Sequence, residues 1–260
     1  MNRTYKGSVM RIVTRYLIIL TIVSVPFWIS GFPIQFQILP GLPFGAVAFT
    51  APALSLFLMS LGKKYQASRS VWQKLTSLKG SRFGMIVLSI AIMPLCIFGG
   101  VLIRDTHASL QEWDLNLLRI ILLIPAFVIA AYCEEVGWTG ILGNELRNRH
   151  GVLFSGLVVG TVWAFWHLIP YIQTGHDLTW ITGQSIYTIL LRVLIFQFAF
   201  ARNGSLGLAS LVHGFSNVGW QSIPNPEIQY DPWTTSMVVG IVCCVCILYG
   251  NLVKKSRPDY

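Results

Sequence analysis

Long apolar runs recur along the chain, each closed by a short polar or basic cluster. A bilayer crossing needs about 20 mostly apolar residues. By that measure, helices fall near 12–31, 41–61, 83–103, 119–138, 151–170, 184–201, 204–221 and 233–252. The pattern predicts an all-α polytopic membrane protein of about eight transmembrane helices, with residues 1–260 as one membrane domain. The sixth and seventh runs are parted only by "ARNG". No internal repeat, low-complexity tract or appended soluble domain interrupts the series. The N-terminal run has the basic start of a signal peptide, but no A-x-A-like cleavage site follows, so it reads as a retained helix.

One run ends unexpectedly. "ILLIPAFVIA" leads into "AYCEEVGWTG", which sets Glu134 and Glu135 against hydrocarbon-like sequence. Ionisable groups inside spans are costly and usually functional. Neighbours on a helix point about 100° apart, so the two carboxylates cannot aim at one spot. Three later runs also carry polar groups. "VWAFWHLIP" holds His167; "TILLRVLIFQF" holds Arg192, which needs a carboxylate partner; and "SLVHGFSNVGW" holds His213 and Asn217, which share a helix face.

Composition strengthens the membrane reading. Of the 260 residues, 54% are hydrophobic and 11% charged, with a mean hydropathy of +0.62, against about 25% charged in soluble domains. The net charge of +9 does not mark nucleic-acid binding, because the basic residues lie between the apolar runs. With the N-terminus inside, cytoplasmic segments hold 16 of the 19 Lys and Arg residues, outer loops hold Arg104 and Arg119, and Arg192 lies within a span. This positive-inside bias predicts a multi-pass protein of the cell membrane with both termini cytoplasmic. The expected surroundings are membrane lipid and a peptide or membrane-protein substrate, with no nucleic acid. Cys96, Cys133, Cys243, Cys244 and Cys246 sit in apolar runs without zinc or disulfide spacing.

Glutamate, two histidines and an asparagine in three separate spans suit acid–base chemistry. A carboxylate can take a proton from water attacking an amide, with His167 assisting transfer to the leaving group. His213 and Asn217 can steady the tetrahedral oxyanion. The same histidines with a carboxylate could instead bind zinc and leave a position for water. The residues leave the cofactor unknown, with none or zinc as the options. Depth raises one difficulty. Glu134 lies near the cytoplasmic end of its expected span, whereas His167 lies about 24 Å from that side at about 1.5 Å per residue. For the two to meet, the fifth span must tilt or start later.

At these residues the chain resembles the CPBP family of intramembrane proteases, also called the CAAX protease and bacteriocin-processing or Abi family. The family's paired glutamates are matched in "EEVGWT", its aromatic four before a histidine by Trp163 and His167, and its histidine four before an asparagine by His213 and Asn217. The resemblance covers roughly 130 to 220, within an expected catalytic core of 119–221. It implies a membrane endopeptidase in which Glu134 and His167 activate water, His213 and Asn217 hold the oxyanion, and Glu135 supports them. Metal dependence has been argued both ways for the family. One position departs from the pattern: the motif's arginine is Thr139 here, and Arg192 is the candidate to substitute for it. The alternatives are a non-catalytic scaffold or bacteriocin-immunity protein of the same fold, or a proton-coupled transporter.

Overall fold

In hydrocarbon a backbone must satisfy its own N–H and C=O groups, and helices do this within one segment. The computed structural model describes residues 3–31, 37–39, 42–61, 83–104, 117–201, 205–223 and 226–255. It is all-α apart from one short antiparallel pair. In chain order come α1 (Arg3–Gly31), the strands β1 (Gln37–Leu39) and β2 (Leu42–Pro43), a 3-10 helix (Phe44–Thr50), α2 (Ala51–Ser60) and α3 (Phe83–Arg104). Then follow α4 (Leu117–Gly137), a π-helical stretch (Trp138–Gly143), α5 (Asn144–Gln173), α6 (Leu178–Ala199), α7 (Leu206–Gln221), the short α8 (Pro226–Gln229) and α9 (Pro232–Lys255). The basic loop expected to be cytoplasmic, residues 63–82, lies outside the described residues.

The chain is a polytopic membrane protein. Among the described residues, five stretches are long and apolar enough to cross a bilayer: Ile12–Gly31, Phe83–Arg104, Ile120–Gln173, Leu178–Ala199 and Pro232–Tyr249. The third is 54 residues long, about 80 Å at about 1.5 Å per residue, so it cannot be one crossing of a core about 30 Å thick. It folds back on itself. Trp163 and Glu134, 29 positions apart, are joined by a 3.0 Å hydrogen bond; in a straight helix they would stand about 43 Å apart. The reversal falls at Gly151, whose φ of 80° and ψ of 171° break the helix inside α5. Only glycine visits such angles cheaply. The shorter apolar Val47–Ser60 and the 16-residue α7 lie where two more of the eight helices were expected.

The break corrects the expected boundaries. The fourth helix does not stop at 138 but continues through the π-helical stretch to His150, directly before Gly151. Glu134 and Glu135 therefore sit near the middle of a long helix rather than at its end. Glu134 lies 17 positions before Gly151 and His167 lies 16 after it, so the hairpin brings them to one level. The depth difficulty came from a misplaced helix end, not from tilt.

Packing follows the hairpin. The second leg of α5 lies along α6, α7 lies between α3 and α4, and α9 covers α6 and α3. Asp177 and Ser205 cap α6 and α7 by accepting from the amides of Trp180 and Leu208. Trp166 Nε1 donates to Ser24 Oγ (2.8 Å), and Tyr16 Oη donates to the Pro52 carbonyl (3.4 Å), which ties α1 to α5 and α2. Small residues set the closest approaches. A Cβ on Gly160 would stand 3.0 Å from Ile189 Cα, and one on Gly214 would stand 2.9 Å from Val128 Cα. These contacts bring α6 and α7 close enough for their polar side chains to reach α4 and α5.

Candidate active site

The polar residues of α4, α5, α6 and α7 gather at the middle of the bundle. Glu135 is completely buried. Its Oε2 accepts from Arg192 Nη1 on α6 and from Thr139 Oγ1 one turn further along its own chain. Its Oε1 accepts from His213 Nδ1 on α7 at 2.9 Å. Arginine keeps its charge in proteins, so this carboxylate faces a permanent cation and three donors. Burying such a pair costs desolvation, which close geometry and filled lone pairs offset.

Glu134, one residue earlier, faces a different neighbourhood. Its Oε2 accepts from Trp163 Nε1 at 3.0 Å. Among the described residues its Oε1 has no hydrogen-bond partner. The side chain is 7% exposed, so the free oxygen sits in a confined place beside the bundle's aromatic residues.

Both histidines present the same nitrogen. His167 Nδ1 lies 2.9 Å from the Trp163 carbonyl. A carbonyl only accepts, so Nδ1 carries the proton and the neutral ring keeps its lone pair on Nε2. His213 Nδ1 likewise donates to the Glu135 carboxylate, and its Nε2 is free of protein partners among the described residues. Asn217 lies one turn along α7 from His213 and is half-buried. No described contact ties its amide to the other candidates.

Trp163, matched in the sequence to a family motif but given no role there, is the hub of the cluster. Its ring lies edge-on to both His167 (centroids 5.2 Å) and His213 (5.0 Å). The Arg192 guanidinium carbon stands 4.0 Å over its ring, and its indole N–H serves Glu134. The signal was in the sequence: an aromatic four residues before His167 shares its helix face. Thr139, read as a departure, is also part of the cluster.

The expected set is therefore gathered as follows. Glu135, Arg192 and His213 are joined directly, Glu134 and His167 join them through Trp163, and Asn217 stands one turn off. Among the described residues no three His, Cys, Asp or Glu side chains converge as a group able to hold a metal ion. A carboxylate with a free oxygen, a histidine with a free lone pair and a second histidine hydrogen-bonded to a buried carboxylate form a set able to move protons and bind a developing negative charge.

Residues 116–219 match the family model described as type II CAAX prenyl endopeptidase Rce1-like. The CAAX prenyl protease 2 of Methanococcus maripaludis is 23% identical over 144 residues, covering 52% of this chain and 52% of that protein. The lysostaphin resistance protein A of Staphylococcus haemolyticus is 21% identical over 127 residues, covering 49% of this chain and 34% of that protein. The chain thus spans about half or less of the length of the curated relatives it matches. The matched stretch contains all six candidate residues, and it agrees with the CPBP resemblance read from the three motifs.

Proposed function

We propose, for a chain whose residues 116–219 match the Rce1-like CAAX prenyl endopeptidase family, an endopeptidase that hydrolyses peptide bonds of membrane-associated substrates with glutamate-activated water. The observation that carries this reading is the unequal pair: a saturated Glu135 beside a Glu134 that keeps Oε1 open.

Water held at Glu134 Oε1 gives its proton to the carboxylate as its oxygen bonds to the scissile carbonyl carbon. His167, with Nε2 unprotonated, takes part in passing that proton to the amide nitrogen, which leaves as an amine when the C–N bond breaks. The carbonyl oxygen becomes an oxyanion between the two bond changes, and donors fixed in advance stabilise it. Asn217 supplies an amide N–H. His213, with Nδ1 donating to Glu135, supplies a second donor at Nε2 when its ring is doubly protonated. The printed name of the archaeal relative suggests a prenylated C-terminal peptide as the first substrate to try. Zinc is the alternative means of activating the water, and a chelator reads that alternative directly. A cytoplasm-facing approach to the site fits the distribution of basic residues.

The test is cleavage of quenched prenylated and unmodified peptides by the purified protein, beside Glu134→Ala and with chelator. Cleavage that survives chelation and disappears in the variant supports the reading. Loss to chelator with recovery by zinc assigns a metal-dependent mechanism. A second reading is a non-catalytic membrane protein of the same fold. It draws on Thr139 in the arginine position and on the relative named for lysostaphin resistance. It predicts no cleavage by the wild type and unchanged function in Glu134→Ala.

A further inference from the structure

We infer that Arg192 is a positioning residue that holds both glutamates at once, Glu135 by charge and Glu134 through Trp163; its catalytic consequence rests on the protease reading above. The family pattern would place an arginine at 139, one turn from Glu135 on the same chain segment. Here that slot holds a threonine, which gives Glu135 Oε2 a hydroxyl proton but no charge. The charge arrives at the same oxygen from α6, 57 positions along the chain.

Bringing it from another helix adds a contact. The guanidinium carbon lies 4.0 Å over the Trp163 ring and 5.8 Å from the Phe196 centroid, so the cation is seated between aromatic faces. Trp163, held there, points its indole N–H at Glu134 Oε2. One side chain thus links the series Glu135, Arg192, Trp163, Glu134. Gly160 makes the arrangement fit: a Cβ there would stand 3.1 Å from Arg192 Cβ. The remaining nitrogens, Nε and Nη2, are buried without a partner among the described residues. Aromatic stacking offsets part of that cost, and a weakly hydrated planar guanidinium bears it better than an ammonium.

The two links can be separated by moving the arginine. In an Arg192→Ala/Thr139→Arg double variant the guanidinium sits one turn from Glu135, in the space α6 has vacated, but no longer stacks on Trp163. Melting temperature in detergent is expected to fall in Arg192→Ala and to recover in the double variant. Peptide cleavage is expected to lose about a hundredfold in kcat in Arg192→Ala, with KM little changed, and to stay about tenfold low in the double variant. Arg192→Lys should behave like the double variant, because an ammonium supplies charge without a stacked plane. A third readout needs no cleavage at all. The fluorine resonance of 5-fluorotryptophan at position 163, identified by its loss in Trp163→Phe, should move in Arg192→Ala and not return in the double variant.

Three outcomes overturn the inference: wild-type melting in Arg192→Ala, full kcat in the double variant or in Arg192→Lys, or an unmoved fluorine resonance. Where Arg192→Ala does not fold, recovery of folded protein in the double variant supports the charge link and its absence refutes it. Arg192→Lys then reads the stacking link. A wild type that cleaves nothing removes the protease reading, while melting and resonance still judge the positioning.

Discussion

Two adjacent carboxylates on one helix occupy opposite situations. Around Glu135, α6 and α7 close in, and an arginine, a histidine and a threonine of its own segment fill both oxygens. Around Glu134, one indole N–H fills one oxygen and the other has no partner among the described residues. The turn of about 100° between neighbours on a helix gives each its own side of α4. On the protease proposal, two tasks that compete in a single group, holding helices together and exchanging protons, are divided between these neighbours. Glu135 has both oxygens filled, whereas Glu134 keeps one open to a water or substrate.

This contrast is broken most severely by reversing the expected costs. Glu135→Ala leaves Arg192 buried and unpaired, and removing one partner of a buried ion pair costs about 3–5 kcal/mol. Thermal unfolding in detergent should show a large fall, and activity should be lost with the fold. Glu134→Gln keeps the acceptor for Trp163 and loses only the base. Its melting should match the wild type, while kcat should fall by about 10²–10⁴-fold. If Glu134→Gln proved the less stable of the two, the division of tasks would be wrong.

A smaller effect sharpens the Glu134 side. Trp163→Phe keeps the ring under Arg192 but removes the indole N–H, so Glu134 loses its one donor among the described residues and becomes free to swing. A net hydrogen bond to a charged group contributes about 1.5–3 kcal/mol. Cleavage should slow by roughly ten- to a hundredfold through kcat, since about 1.4 kcal/mol off the barrier is tenfold in rate. Unchanged kcat would mean that Trp163 does not aim this carboxylate.

What could be read from the sequence follows from what hydropathy measures. Apolar runs report lipid contact, so the helices of the bundle were legible along with their order. The end of the fourth helix was not. Residues 144–150, "NELRNRH", are polar and read as a loop, yet they stay helical because backbone hydrogen bonds do not require apolar side chains. The break waits for Gly151, where φ turns positive. Glu134, Glu135, His167, His213 and Asn217 stood out because polar groups are rare in spans. Arg192 was also visible, and an arginine in an apolar run implies a carboxylate somewhere. That the carboxylate is Glu135 depends on how α5 reverses and how closely α6 packs at Gly160, which no local pattern records. The role of Trp163 was hidden for the same reason: its ring meets residues from α4, α6 and α7, and its own stretch is already rich in tryptophan.

The finest test concerns the residue that first looked like a defect. Thr139 shares Glu135 Oε2 with Arg192, and it is itself buried. If the arginine carries the charge, the threonine contributes one hydrogen bond to an oxygen that keeps another donor. Thr139→Val preserves shape and removes that donor without stranding the carboxylate, so the cost should lie near the ordinary net value of about 0.5–1.5 kcal/mol. The melting temperature should fall slightly, and kcat should stay within about threefold of wild type, since Glu134 and Trp163 are untouched. A collapse of stability as large as that of Glu135→Ala would make Thr139, rather than Arg192, the principal partner of Glu135. A small effect in Thr139→Val beside a large one in Arg192→Ala would mean that the charge at this carboxylate has moved from its own helix to a neighbouring one.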